Sequence, residues 1–185
     1  HEDFLNKYGE EIDICKTVGK AGWVVSEYSN PREIKEWYQL IVQGKDAEII
    51  EYFDADNSNS LRSIRSGLSK SYVEAPSCRY YNKGIEAYDK EDYMTAAMYL
   101  VALLESRTND YMNYPRKMSY SNKYSEKGFE QHLQKEFIKA DSFFTKRFLF
   151  LDMYPSLIEF LNRLFVDGIY TLDSKNEPPY INRNW

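Results

Sequence analysis

The residues best suited to chemistry are sorted along the chain by charge. Residues 107–147 hold 9 basic and 5 acidic side chains, whereas residues 1–106 hold 12 and 19, and residues 148–185 hold 3 and 5. Tyr111, Tyr114, Tyr120 and Tyr124 are interleaved with the basic groups. Lysine and arginine neutralise phosphate oxygens and tyrosine rings stack on bases. Arg116, Lys117, Tyr120 and Lys123 are therefore candidate contacts for an RNA strand. A solvated helix face followed by a loop has the same composition, and both readings stay open. The overall charge of −5 disfavours a broad nucleic-acid surface.

Other chemistry is poorly supplied. The only histidines are His1 and His132, and His132 sits in the polar helical stretch Glu130-Gln131-His132-Leu133-Gln134, where it is expected to face solvent. Cys15 and Cys78 are too few for a disulfide framework, and each reads as a small buried hydrophobe. There is no phosphate-cradling glycine loop and no Cys/His cluster with metal spacing, so neither a cofactor nor a metal is expected. No apolar run reaches the length of a membrane span, and the polar first residues do not resemble a signal peptide. The expected compartment is a reducing cytoplasm, without membrane attachment. The first residue is His1, which reads as a trimmed chain or tag remnant.

The elements that must position these groups are read as helices throughout. The chain has 185 residues, with 43% hydrophobic and 29% charged residues, enough to bury a core without staples. Phe4, Leu5, Tyr8, Ile12 and Cys15 recur near a 3.6-residue period, predicting a helix over 3–18. Gly22-Trp23-Val24-Val25 is an apolar connector. Ser29-Asn30-Pro31 is a helix start, Ile34, Trp37, Tyr38 and Ile41 line one face, and Gly44 stops it. Asp46 is placed to cap a short helix with Ile49, Ile50 and Phe53. A polar turn over 54–60 precedes a helix with Leu61, Ile64 and Leu68. The strongest hairpin spans 77–111, with a charged turn at Asp89-Lys90-Glu91-Asp92. Its second arm is apolar over much of its circumference and is predicted to be the central helix. Residues 112–124 form a long loop. Separate helices are predicted at 125–151 and 155–166, the latter with the core stripe Leu157, Phe160, Leu161, Leu164 and Phe165 packing on the 92–108 helix. Gly168 ends it. Residues 169–182 are extended, since Pro178-Pro179 blocks a helix, and a last helix opens near Asn182. The fold class is all-α: a helical bundle divided into an N-terminal extension over 1–70 and a helical domain over 71–185, or one compact unit.

The end of the chain, Pro178-Pro179-Tyr180-Ile181-Asn182-Arg183-Asn184-Trp185, places an arginine and a small polar residue at the start of that helix. This resembles the opening of the R-[N/D/H]-x-x-x-H signature of HEPN domains, small helical domains that include RNases of toxin, CRISPR and phage-defence systems. The segment from Ala87-Tyr88 through Asp92-Tyr93 and Ala96-Ala97 to Leu103-Leu104-Glu105 looks like the hairpin of bacterial HEPN-like proteins. The resemblance covers about residues 77–185.

It implies a metal-independent endoribonuclease in which a ribose 2′-hydroxyl attacks the adjacent phosphate. Arg183 would stabilise the charge on the phosphorane, Asn184 would orient the arginine or the substrate, and Glu105 would pair with Arg183. Proton transfer falls to the motif histidine, which follows the arginine after four to six residues. The sequence has two residues after Arg183, and His132 does not have the required spacing. The chain as it stands is therefore expected to be inactive. The native reading frame is expected to place a histidine three to five residues beyond Trp185. The resemblance also implies a homodimer with a composite site, RNA as substrate, and an antitoxin or defence partner. Two other classes stay open. The run from Ala87 to Leu103 resembles a single tetratricopeptide unit, a protein-binding scaffold, although 121–137 does not repeat it. The third is a purely structural helical domain.

Overall fold

The computed structural model describes residues 2–26, 29–54, 59–72, 78–112 and 147–164, and every regular element among them is helical. The helices are α1 (Glu2–Lys20), α2 (Pro31–Val42), α3 (Ala47–Asp54), α4 (Asn59–Tyr72), α5 (Cys78–Asp89) and α6 (Tyr93–Met112). A π-helical turn over Phe148–Met153 then leads into α7 (Tyr154–Leu164).

Local chemistry accounts for most boundaries. At the start of α2 the Asn30 side chain accepts from the Arg32 and Glu33 amides, both at 3.0 Å, and Glu33 accepts from the Asn30 amide at 3.0 Å. This reciprocal capping satisfies amides that the helix itself leaves unpaired, with Pro31 at a position needing no donor. Beyond α2, Gly44 takes φ 71°, a conformation that costs a residue without Cβ nothing. The α5–α6 turn instead places Glu91 at φ 61°, and Asp92 accepts from the Thr95 amide at 3.2 Å to start α6.

Two apolar clusters hold these elements together. The first buries Cys15, Val18, Val25, Ile34, Trp37 and Ile49. Trp23 stacks on Phe53 with ring centroids 5.6 Å apart, and Trp37 meets the same ring at 5.4 Å. Aromatic side chains thus close α1, α2 and α3 around one point, where their large area gives most per residue. The second cluster is built on Leu161 and Leu164 of α7, with Val101 and Leu104 of α6 against them. The α5–α6 hairpin buries Tyr81, Gly84, Ala87, Ala96 and Leu103. Arg65 of α4 joins it through Asp89 at 2.9 Å, and the Tyr81 hydroxyl donates to the Arg65 carbonyl at 3.1 Å.

Three features differ from the sequence expectation. The main partner of α7 is α1, from the other end of the described chain, while α6 meets α7 through Val101 and Leu104. Nor is α6 covered all round: Met94 and Met98 are 73% and 69% exposed. Its first half packs against α5 and leaves those two methionines open to solvent. Finally, the chain does not break before Pro155. The Tyr154 amide bonds the Leu149 carbonyl, five residues back, and the helix continues into α7. Proline lacks the amide that an α-helix would need at that point, and the wide turn accommodates the loss.

The contact of α1 with α7 is unusually close. An ideal Cβ at Gly19 would overlap the Ser156 carbonyl oxygen and lie 2.8 Å from the Ser156 carbonyl carbon. The fully buried Ser156 hydroxyl accepts from the Val25 amide at 3.0 Å and is 3.2 and 2.9 Å from the Asp152 and Met153 carbonyls, to which it donates. A buried amide in the connector is thereby satisfied from the opposite helix. Arg163 also donates to the Lys20 carbonyl, capping the end of α1.

Candidate functional site

Of the residues singled out in the sequence, Glu105 lies within the described part. It is half-buried on α6, beside Leu104, which packs against the Leu161–Leu164 cluster. Arg183, Asn184, Arg116, Lys117, Tyr120 and Lys123 lie outside the described residues, as do the predicted long loop, His132, Gly168 and the last helix. The juxtaposition of Glu105 with Arg183 therefore stays a proposal.

The structure assembles a different group of polar side chains. Glu11 and Cys15 are one turn apart on α1, and Arg147 and Asp152 flank and occupy the π-helical turn. Arg147 donates to both oxygens of Glu11, at 3.1 and 3.0 Å. Such a fork holds a carboxylate more firmly than a single contact does. The guanidinium also lies 5.8 Å from the centroid of the Tyr8 ring, and hydrogen bonding to Glu11 raises its pKa further. Asp152, in the π-helical turn, lines the same cavity as Glu11. Burial, then the charge of Glu11 and a hydrogen bond to it, push the Asp152 carboxyl from 3.8 up to about 7, against the opposing pull of Arg147.

The Cys15 thiol is 3.9 Å from the Asp152 carboxyl, a long contact even for sulfur. Burial foremost, then the neighbouring Asp152 and Glu11, push it up to about 12. A thiol held protonated in this way is neither a nucleophile nor a ready metal ligand. Iodoacetamide at pH 8 is expected to alkylate Cys78, which is partly exposed, and to leave Cys15 unmodified in the folded protein. Mass spectrometry of the labelled peptides checks this, with equal labelling of both as the contrary result.

The group borders a cavity of about 270 Å³ where α1, α2 and the π-helical turn meet. Ile14, Pro31 and Ile34 form its apolar wall, and Lys7, Glu10 and Lys35 add charges around it. Among the described residues, no group of three His, Cys, Asp or Glu side chains is placed to hold a metal ion. No described helix is long and apolar enough to cross a membrane.

Spacing rules could not find this group, since Glu11 and Arg147 are 136 positions apart. The one signal present was an acidic residue inside the apolar run Phe148-Leu149-Phe150-Leu151-Asp152-Met153. A carboxylate there must either reach solvent or find a partner. The chain matches no family model, no curated protein and no solved structure.

Proposed function

We propose that this chain is an HEPN-like, metal-independent endoribonuclease of a defence or toxin type that acts as a homodimer. The observation that supports this most is the sequence Asn182-Arg183-Asn184 after Pro178-Pro179, where the pattern leads one to expect the start of a last helix. The α5–α6 hairpin is in keeping with it: a short charged turn leads into a 20-residue helix that bears Glu105 on its later half. Arg183 would stabilise the pentacoordinate phosphate, Asn184 would hold the substrate or the arginine by hydrogen bonds, and Glu105 would fix the arginine's rotamer. Arg116, Lys117, Tyr120 and Lys123 would carry the strand to the site. The motif also needs a proton-transfer histidine after the arginine.

The test is cleavage of labelled single-stranded RNA, with a chelator present, by the protein from the complete reading frame and by the 1–185 chain. The complete protein is expected to cleave and the 1–185 chain is not. Absence of cleavage by a folded, dimeric complete protein would replace the enzyme with the scaffold reading. One observation favours that second reading. Tyr93, Met94 and Met98 leave an exposed apolar strip on the first half of α6. Flexible thioether side chains adapt to varied partner surfaces.

A further inference from the structure

We propose that the cavity between α1, α2 and the π-helical turn binds a small zwitterion, a free α-amino acid with an aliphatic side chain. The buried Cys15 and Ile34, with Ile14 and Pro31, give it an apolar lining. Charged side chains from all three elements border it: Lys7, Glu10 and Glu11 of α1, Lys35 of α2, and Arg147 and Asp152 at the turn. Three are cationic and three are acidic, so a ligand of one sign would meet as much repulsion as attraction. A molecule that carries both charges beside an apolar group matches this lining. The volume of about 270 Å³ lies just below the range of about 300–1,000 Å³ usual for drug-sized ligands, which suits a molecule of amino-acid size.

Pairing within the group determines which charges a ligand would meet. Arg147 is committed to both oxygens of Glu11, a fork that ties the turn to α1 and matches one cation with one anion. Asp152 meets the Cys15 thiol at 3.9 Å, and a thiol is a weak donor that offers little to an anion. An ammonium would bring the charge and the N–H donors that a half-buried carboxylate needs. Lys7 and Lys35 border the cavity from α1 and α2, and no ion pair among the described residues engages either. They are the cations offered to a carboxylate, while Ile14, Pro31 and Ile34 would cover the aliphatic side chain.

Simpler ligands fit less well. A lone anion would face Glu10 and Asp152 across the same space, and a lone cation would face Lys7 and Lys35. Amino-acid binding here is independent of the nuclease reading, because none of these residues belongs to that proposed site. Loss of RNA cleavage and loss of amino-acid binding are therefore separate results.

The experiment is an NMR titration of the full chain, following amides near Cys15 and Ile34, with L-leucine and two analogues. One is 3-methylbutylamine, which lacks the carboxylate, and the other is 4-methylpentanoate, which lacks the ammonium. L-Leucine is expected to bind about tenfold more tightly than either, the usual loss when a charge-assisted hydrogen bond is removed. Asp152→Asn should weaken L-leucine by a similar factor and leave 4-methylpentanoate unaffected. Lys7→Gln with Lys35→Gln should weaken L-leucine and 4-methylpentanoate and leave the amine unaffected. No response to L-leucine up to its solubility limit, or analogues that bind as tightly, would overturn the site. Equal weakening of all three ligands by either variant would also overturn it, because it would mark disturbed packing. Should Asp152→Asn fail to fold, the lysine variant decides, since both lysines are exposed. Unchanged L-leucine affinity there would overturn the site.

Discussion

Gly19→Ala is expected to be the most damaging single-methyl change in the described structure. The added carbon would overlap the Ser156 carbonyl oxygen and press on its carbonyl carbon and Cα, all backbone atoms of α7. Neither helix can yield by turning a side chain, so α1 and α7 must separate. That separation would stretch the bond from the Val25 amide to the Ser156 hydroxyl and open the contact of α1 with α7. Overpacking of this kind costs about 3 kcal/mol, and alanine's better helix propensity returns less than about 1 kcal/mol near a helix end. A fall in Tm of about 6–12 °C is expected for a chain of this size. Gly84→Ala is the internal control. There the new methyl meets Leu100 Cδ2 and Cγ at 2.7 Å, side-chain atoms that can move away by a change of χ1 whereas backbone cannot. Its overpacking cost of about 1 kcal/mol is offset by a similar gain in helix propensity, so Tm should hardly change. Equal effects at the two glycines would mean that the α1–α7 contact is looser than described.

The second large effect is expected at Arg183. In the complete protein, Arg183→Ala should reduce RNA cleavage about a hundred- to a thousandfold, the usual loss when a donor to developing transition-state charge is removed. Tm should stay unchanged, because the proposed role is electrostatic and not structural. Arg183→Lys should recover little, since an ammonium cannot present two parallel N–H bonds to phosphate oxygens. A time course with chelator on wild type, both variants and a mutant of the downstream histidine separates the outcomes. Equal cleavage by all four proteins would identify a contaminant. A Tm loss in Arg183→Ala would assign the arginine to packing instead.

Much of the helical layout was legible because it is written locally. The start of α2 followed from Ser29-Asn30-Pro31, and the capping contacts of Asn30 and Glu33 are the physical form of that signal. The α5–α6 hairpin followed from apolar periodicity on either side of Asp89-Lys90-Glu91-Asp92. What was not legible depends on which helix meets which. An apolar stripe such as Leu157, Leu161 and Leu164 did point to α6, whose Val101 and Leu104 pack against it, but it gave no sign that the same helix also docks closely on α1. The apolar circumference of α6 likewise carried no information on how many neighbours the helix has. The Glu11–Arg147–Asp152 group is the extreme case, since it exists only after α1 has docked. Local rules also read Pro155 as a helix break, whereas the buried Ser156 hydroxyl and the wide turn carry the helix past it.

That wide turn makes the chain sensitive to counting. A residue in an α-helix advances about 100° around the axis, so one extra residue in a turn offsets the faces on its two sides by about that angle. Removing a single residue from 148–153 would let the helix relax to ordinary winding while leaving nearly all of its composition in place. Arg147 would then swing about a quarter of a circle away from Glu11, and α7 would keep its own contacts with α1. A chain related to this one could thus preserve every buried leucine and still lack the acid–base group, through a change in length and not in chemistry.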